Sequence, residues 1–211
     1  MTQMSKQKPS RRRRERRQGV RESAAGITAA LPWLLLACSA VLVACASGQD
    51  RKLPPLALAP KVDLNRFMGD WYVIASIPTR FEKGAHNPLE SYRLDADGTI
   101  ATTFTFNAGA NDGPSRTFTS RGYVLDGASN AIWGQQYIWP IKADYRIAFV
   151  SDDYAMTVVA REKRDFVWIM ARTPRISDEA LARLTDFVAK QGYDPAQLVR
   201  SPHGRTSTPQ D

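Results

Sequence analysis

The sequence predicts an all-β fold: an eight-stranded antiparallel up-and-down β-barrel with one C-terminal α-helix packed outside it. Three observations carry this expectation. From Val62 onward, short runs rich in Val, Ile, Thr, Phe, Tyr and Trp alternate with turn-forming Gly, Asp, Asn and Ser, the pattern of consecutive antiparallel strands. Gly69-Asp70-Trp71-Tyr72 opens the first strand, and Arg172 ends the last one about a hundred residues later. In a closed barrel these two points meet at one end, where the guanidinium can lie across the indole, a contact worth about 0.5–2 kcal/mol. After the eighth run comes a single amphipathic stripe, and a lone helix of that kind has to pack against the outside of the sheet.

The N-terminal part is of another kind. The chain has 211 residues and a formal charge of +8. Nine of its 29 Lys and Arg fall within residues 1–22, opposed there by Glu15 and Glu22, so the remainder is nearly neutral. The charge therefore belongs to a leader, which argues against a nucleic-acid surface. The apolar stretch Leu31–Val43 is shorter than the roughly 20 residues of a bilayer span and fits the core of a secretory signal. It ends in Leu42-Val43-Ala44-Cys45, which resembles a bacterial lipobox whose cysteine is acylated. Leu35-Leu36-Ala37-Cys38 is a weaker alternative that would leave a shorter apolar core. The expected organisation is a signal peptide over 1–44, a lipidated Cys45 with a Pro-containing tether over 45–60, a barrel domain over 61–200 and a disordered tail over 201–211. No cysteine follows Cys45, so the barrel relies on its apolar core rather than on a disulfide.

Within the domain, strands are expected over about Trp71–Ile77, Glu90–Leu94, Ile100–Phe106, Thr117–Leu125, Ile132–Tyr137, Tyr145–Val150, Tyr154–Arg161 and Phe166–Arg172. Asp95-Ala96-Asp97-Gly98, Asp126 to Asn130 and Ser151-Asp152-Asp153 supply turns. The helix starts at Ser177, a good N-cap with Asp178 and Glu179 in its first turn. Leu181, Leu184 and Val188 form its stripe, and Gly192 stops it. Asp194–Val199 is a candidate short last strand.

These elements resemble the lipocalin family, and within it the bacterial outer-membrane lipoprotein branch related to apolipoprotein D and to plant temperature-induced lipocalins. The resemblance covers about Val62–Val199. It rests on Val62 to Phe67, Gly69 to Tyr72, Pro78 to Glu82, Tyr145, Asp152 to Tyr154, Asp165 to Pro174 and Ile176 to Glu179. It implies that Gly69, Trp71, Asp152, Tyr154 and Arg172 gather at a closed end as structural residues. The parity of the turns agrees, since alternate turns of an up-and-down barrel lie at opposite ends.

The other end is then the mouth, with Arg80, Phe81, Lys83, Trp139 and Lys142 as candidate contacts for a ligand or headgroup. Alternation puts Val73, Ala75 and Ile77 of the first strand on the inside, with Trp168 and Met170 of the last and Met156 and Val158 of the seventh. Phe104, Phe118 and Trp133 are candidates from strands whose phase the pattern leaves open. Ordinary core packing is the alternative for each of them.

An eight-stranded barrel has room for one elongated ligand, and a Met-, Phe-, Trp- and Val-lined lumen suits an acyl chain. About fourteen buried methylenes give roughly 11 kcal/mol gross, which binding costs reduce to about micromolar affinity. The expected function is binding, storage or transport of small hydrophobic ligands, fatty acids or lysophospholipids, by a lipoprotein anchored in the outer membrane and facing the periplasm. By resemblance, a role in membrane maintenance under stress follows. A protein-docking module using the mouth is the alternative, with a possible homodimer across it. An enzyme is disfavoured: His86 and His203 are the only histidines, so neither a hydrolase triad nor a His/Cys metal site can be assembled, and no cofactor is implied.

Overall fold

The computed structural model describes residues 53–204. The expected signal segment, Cys38, Cys45 and residues 205–211 lie outside the described residues. Eight strands run in order as β1 (Gly69–Ile77), β2 (Ala85–Leu94), β3 (Ile100–Ala108), β4 (Ser115–Val124), β5 (Ile132–Ile138), β6 (Ile141–Val150), β7 (Met156–Ala160) and β8 (Val167–Ala171). Each pairs antiparallel with the next, and β1 pairs with both β2 and β8, which closes the barrel. Short α1 (Leu64–Phe67) precedes β1. After β8 come α2 (Asp178–Lys190), a 3₁₀ turn at Pro195–Gln197 and β9 (Val199–Arg200). That last strand pairs with Ala75 and Ser76 of β1, where β2 has already diverged.

Local chemistry explains the ends. Asp63 Oδ1 accepts from the amides of Asn65 (2.9 Å) and Arg66 (3.3 Å) and so starts α1, an Asp cap of the usual kind. Ser177 Oγ caps α2 by accepting from Ala180 N at 3.2 Å. Gly192, at φ +93°, ends the helix in a left-handed conformation that leads into Tyr193. The Tyr193 hydroxyl accepts from Arg161 N and lies within 3.0 Å of the carbonyls of Arg161 and Phe166, fastening the end of α2 to the β7–β8 loop.

Two hydrophobic clusters divide the sheet. Inside the barrel are Val62, Phe67, Trp71, Val73, Tyr92, Ile100, Trp133, Tyr145, Ile147, Val159 and Met170. Between the sheet and α2 are Ile74, Ala75, Ile77, Ala148, Val158, Ala160, Val167, Ile169, Leu184 and Val188. Burying Leu184 and Val188 contributes about 1.5–3 kcal/mol each, which is how a 13-residue helix stays on the barrel.

The division corrects four inward assignments. A bulge between Val73 and Ala75 shifts the register of β1, so Ala75 and Ile77 turn outward beneath α2. β7 pairs with β8 without a shift, so Val159 and Thr157 stand opposite the inward Trp168 and Met170, while Val158, opposite Ile169, joins the helix side and Met156 packs against that cluster. A bulge adds one residue and inverts every side chain beyond it. Ser201–Gly204, expected to be disordered, are tied in. Ser201 N donates to Ile74 O, His203 Nε2 lies 2.9 Å from Val73 O, and Asn87 N donates to Pro202 O. This strap occupies the slot left where β1 and β2 part.

Candidate functional site: the barrel lumen and its mouth

The closed end is built from α1, the start of β1, the β6–β7 turn and the end of β8. Gly69 takes φ +90°, and a side chain there would meet Arg172 Nη1 at 3.5 Å. Arg172 places its guanidinium 3.8 Å from the Trp71 ring. It donates to the carbonyls of Asp70, Arg66, Phe67, Met68 and Tyr154 at 2.7–3.3 Å. The guanidinium therefore satisfies the orphan carbonyls at the end of α1. Tyr154, at φ +59°, accepts from Asp63 N through its hydroxyl and lies under the Arg66 guanidinium at 4.1 Å. Asp152 contributes its carbonyl, which accepts from Arg66 Nη2.

Above this plug sits an aromatic floor. Phe67 meets Trp71 at 5.0 Å and Trp133 edge-on at 5.5 Å, and Trp133 stacks on Tyr145 at 5.5 Å. Trp133 is fully buried and donates to Asn130 O. Met170 is buried in the same cluster. The structure thus puts Trp133 and Met170 in the packed lower half.

The open space begins one layer higher. A cavity of about 110 Å³ is bordered by Val73, Ser76, Glu82, Pro88, Phe104 and Trp168, with the Val199–Pro202 strap along one side. Val73, Phe104 and Trp168 among the sequence candidates therefore come together. Phe118, 41% exposed, stacks on Phe106 at 6.1 Å and reaches Phe81 at 6.5 Å, continuing the apolar track from the cavity to the rim. Phe81, Tyr137, Ile138, Trp139 and Ile141 stand exposed at the mouth, Trp139 most of all at 82%. Arg80 covers the Phe81 ring at 4.6 Å, and Lys83 is exposed. Lys142 departs from the expected place. Its ammonium lies 3.7 Å over Tyr123, beside Gly134 on the outer face of β4 and β5, because alternation along β6 from the inward Tyr145 turns it outward.

Sequence reasoning missed the polar part of the interior. Glu90 pairs with Trp71 on one side and Phe104 on the other, so it shares their inward face, and only 8% of it is exposed. Burial pushes its carboxyl up to about 7, against the Tyr92 hydroxyl bond that favours the charged form; the nearby Glu82 charge adds to the rise. Tyr92 in turn hydrogen-bonds Tyr145, and both phenols are driven upward by burial and then by the Glu90 charge. Glu82 folds back into the mouth, accepting from Thr79 N at 2.7 Å and Trp168 Nε1 at 3.2 Å, and burial raises its carboxyl as well. Gln135, 1% exposed, donates to Thr102 at 3.1 Å. The signal was legible only in part: Glu90, Tyr92 and Leu94 share one face of β2, but a carboxylate on an inward face runs against binary patterning.

Comparison with known proteins agrees with this geometry. Residues 62–203 match the family model described as a lipocalin-like domain. The chain is 29% identical to the outer membrane lipoprotein Blc of Escherichia coli K12, over 80% of this chain and 94% of that protein. It is 27% identical to temperature-induced lipocalin-1 of Arabidopsis thaliana, over 69% and 81%, and 26% identical to bovine apolipoprotein D, over 79% and 92%. Among solved structures, insecticyanin from the tobacco hornworm superimposes with a TM-score of 0.59 at 10% identity, covering 74% of this chain and 88% of that one. The cockroach allergen Per a 4 gives 0.54 at 18% identity, over 70% and 92%. At those identities the two structures speak for the fold alone.

Proposed function

Because this chain belongs to the lipocalin family, we propose that it binds and carries a small hydrophobic ligand in its barrel, namely a single-chain lipid such as a fatty acid or lysophospholipid. The observation that supports this most directly is the continuous apolar track from Val73, Phe104 and Trp168 in the cavity to Phe118 and Phe81 at the rim. A packed interior with no opening would have no such track. Its position in the cell follows from the resemblance of the Cys45 region to a lipobox and from the similarity to outer membrane lipoproteins. We place it on the periplasmic side of the outer membrane, held by acyl chains on Cys45, with a role in membrane maintenance. Two or more chains, at about 0.8 kcal/mol per buried methylene, make such attachment effectively permanent. The protein acts by binding rather than by chemistry.

The test is native mass spectrometry of Lys52–Asp211, the compact unit that holds every described element, purified without detergent. It is followed by titration with lysophospholipid and fatty acid, read by tryptophan fluorescence. Saturable one-to-one binding near micromolar, with Trp168 as the responding fluorophore, supports the reading. No bound mass and no response to any single-chain lipid would sink it and favour docking of a protein on the exposed Phe81, Ile138, Trp139 and Ile141 surface, a second copy of the chain included. Cys45→Ser should abolish incorporation of labelled palmitate; undiminished labelling would move the anchor elsewhere.

A further inference from the structure

The lumen carries acidic groups on an apolar wall. Glu90 is buried between Trp71 and Phe104 with its charge turned inward. A buried carboxylate without a counter-charge is costly and is relieved either by a proton or by a cation. Its neighbours supply no cation: Tyr92 and, behind it, Tyr145 are neutral phenols, and Glu82 adds a second carboxyl from the mouth. Lys83 and Arg116, the latter opposite Phe106 on the inward face, stand exposed at the rim, while the other basic groups near the cavity are engaged elsewhere. Arg161 is on Asp165 at 3.2 Å and over Phe166 at 5.4 Å, Arg200 is on Asp178 at 3.1 Å, and the His86 ring is on Asn111 at 3.1 Å. The packed layer beside Tyr92 also holds an open polar atom, which lies against Gly122. Gln135 spends its amide N–H on Thr102, which pairs with Tyr92, and leaves Oε1 buried with no partner. A buried acceptor left open is a place where a ligand donor is worth most.

We propose that the lumen selects single-chain amphiphiles bearing a primary ammonium, seated on Glu90 with Glu82 alongside, while the chain leaves through the mouth over Phe118 and Phe81. This rests on the lipid-carrier reading and narrows it by charge. An ionised fatty acid entering head first would place its carboxylate against two others. The cavity of about 110 Å³ is lined by Glu82 and by Phe104, the cross-strand neighbour behind which Glu90 is buried; it takes a headgroup and the first part of a chain, which is why the exposed aromatic track outside it matters.

Three probes of equal length separate the possibilities: dodecylamine, dodecanol and dodecanoate, titrated into Lys52–Asp211 at about pH 8, where an alkylammonium is still charged. Dodecylamine is expected to bind about tenfold tighter than dodecanoate, with dodecanol between them. Glu90→Gln should erase the amine's advantage, leave dodecanol within about twofold and improve dodecanoate. Without any substitution, lowering the pH from about 8.5 to about 5.5 should weaken the amine and leave dodecanol unchanged, because Glu90 takes up its proton near 7. Lysophosphatidylethanolamine distinguishes the sources of the ammonium. If it shares the Glu90→Gln loss the group is a lipid headgroup, and if only dodecylamine does it is a free long-chain amine; both outcomes uphold the proposal. If dodecanol binds but dodecanoate equals or exceeds dodecylamine, or if Glu90→Gln shifts all probes alike, charge selection is refuted while the carrier reading stands. If none of the three binds, both fall.

Discussion

Arg172→Ala removes the side chain that joins the two ends of the barrel sequence. In the folded protein its guanidinium serves five carbonyls, on Asp70, Arg66, Phe67, Met68 and Tyr154, and covers Trp71 at 3.8 Å. Hydrogen bonds from a charged donor contribute about 1.5–3 kcal/mol each when taken singly. These five belong to one partly exposed group, and water replaces several of them, so the sum is far from additive. A loss of about 3–4 kcal/mol is the expectation, a large share of the roughly 5–15 kcal/mol that such a domain has. Equilibrium urea unfolding of Lys52–Asp211 measures it. With a slope of about 2 kcal/mol/M the midpoint should fall by about 1.5–2 M at unchanged slope. Arg172→Lys keeps the charge but brings three donors on a compact head, so it should recover only part of the loss. A double-mutant cycle with Trp71→Leu isolates the ring contact, expected at about 0.5–2 kcal/mol. An Arg172→Ala cost below about 1 kcal/mol would show that the plug of α1 and β1 holds without its clasp, and the account of the closed end would be wrong.

Other outcomes follow from the same structure. Glu90 has its carboxyl raised to about 7 in the fold from about 4.5 in the open chain, so between those values the folded state binds the extra proton. Stability should therefore fall as pH rises through that window, by up to about 3 kcal/mol, and level off above it; Glu90→Gln should flatten the profile, and an unchanged slope would show that Glu90 titrates normally. His203 is pushed down by burial, which outweighs the opposing hydrogen bond to Val73 O, so acidification through about 6.5 protonates the unfolded strap first and loosens it. The protection of the Ser201 and Asn87 amides, their exchange taken relative to the intrinsic rate at each pH, should fall at low pH, and His203→Ala should abolish that dependence. Leu184→Ala empties a buried site under α2 and should cost about 2–4 kcal/mol, with lipid titrations unaffected because the lumen lies on the other face. Trp139→Ser with Phe81→Ser should leave stability within about 0.5 kcal/mol while weakening lysolipid binding about three- to tenfold; equal affinity would remove the mouth from the ligand's path.

The strands, the helix and the meeting of Trp71 with Arg172 were legible because period-2 alternation, turn residues and an N-cap are local signals. Ser177, Gly192 and the Asp95–Gly98 turn stand where such residues are expected. What escaped was the phase beyond each bulge. Nothing in Val73-Ile74-Ala75 marks an extra residue, yet it decides that Ile77 faces α2 and not the lumen. The exchange of Val158 for Val159 is set by the pairing of β7 with β8, where Val159 stands opposite Trp168, a register that neither strand shows alone. α1 was hidden because four residues carry no periodicity, although Asp63 two residues before Asn65 is a capping signal. Glu90 was overlooked for another reason: its inward position follows from pairing with Trp71 and Phe104, and a charged side chain gives no signal for an inward face. The relation of Phe81 to Phe118 joins the β1–β2 loop to strand β4, far apart in sequence, and could come only from the closed sheet.

The pairings of β1 have a consequence for how the chain is made. On one side this strand meets β8, and beside the parted β2 it meets β9 and the Ser201–Gly204 strap. Strands β2 to β7 can zip together one hairpin after another as they emerge, each beside a neighbour already made. The strand that emerges first has to wait with one edge bare until the last elements arrive. An exposed edge of Trp, Tyr, Val and Ile is an adhesive surface for any other chain nearby. Seam closure between distant segments is also the slow step of such a topology. The interval between the first strand and its final partner is therefore when this protein is most exposed to aggregation, and a chain cut short before Val167 would remain in that state.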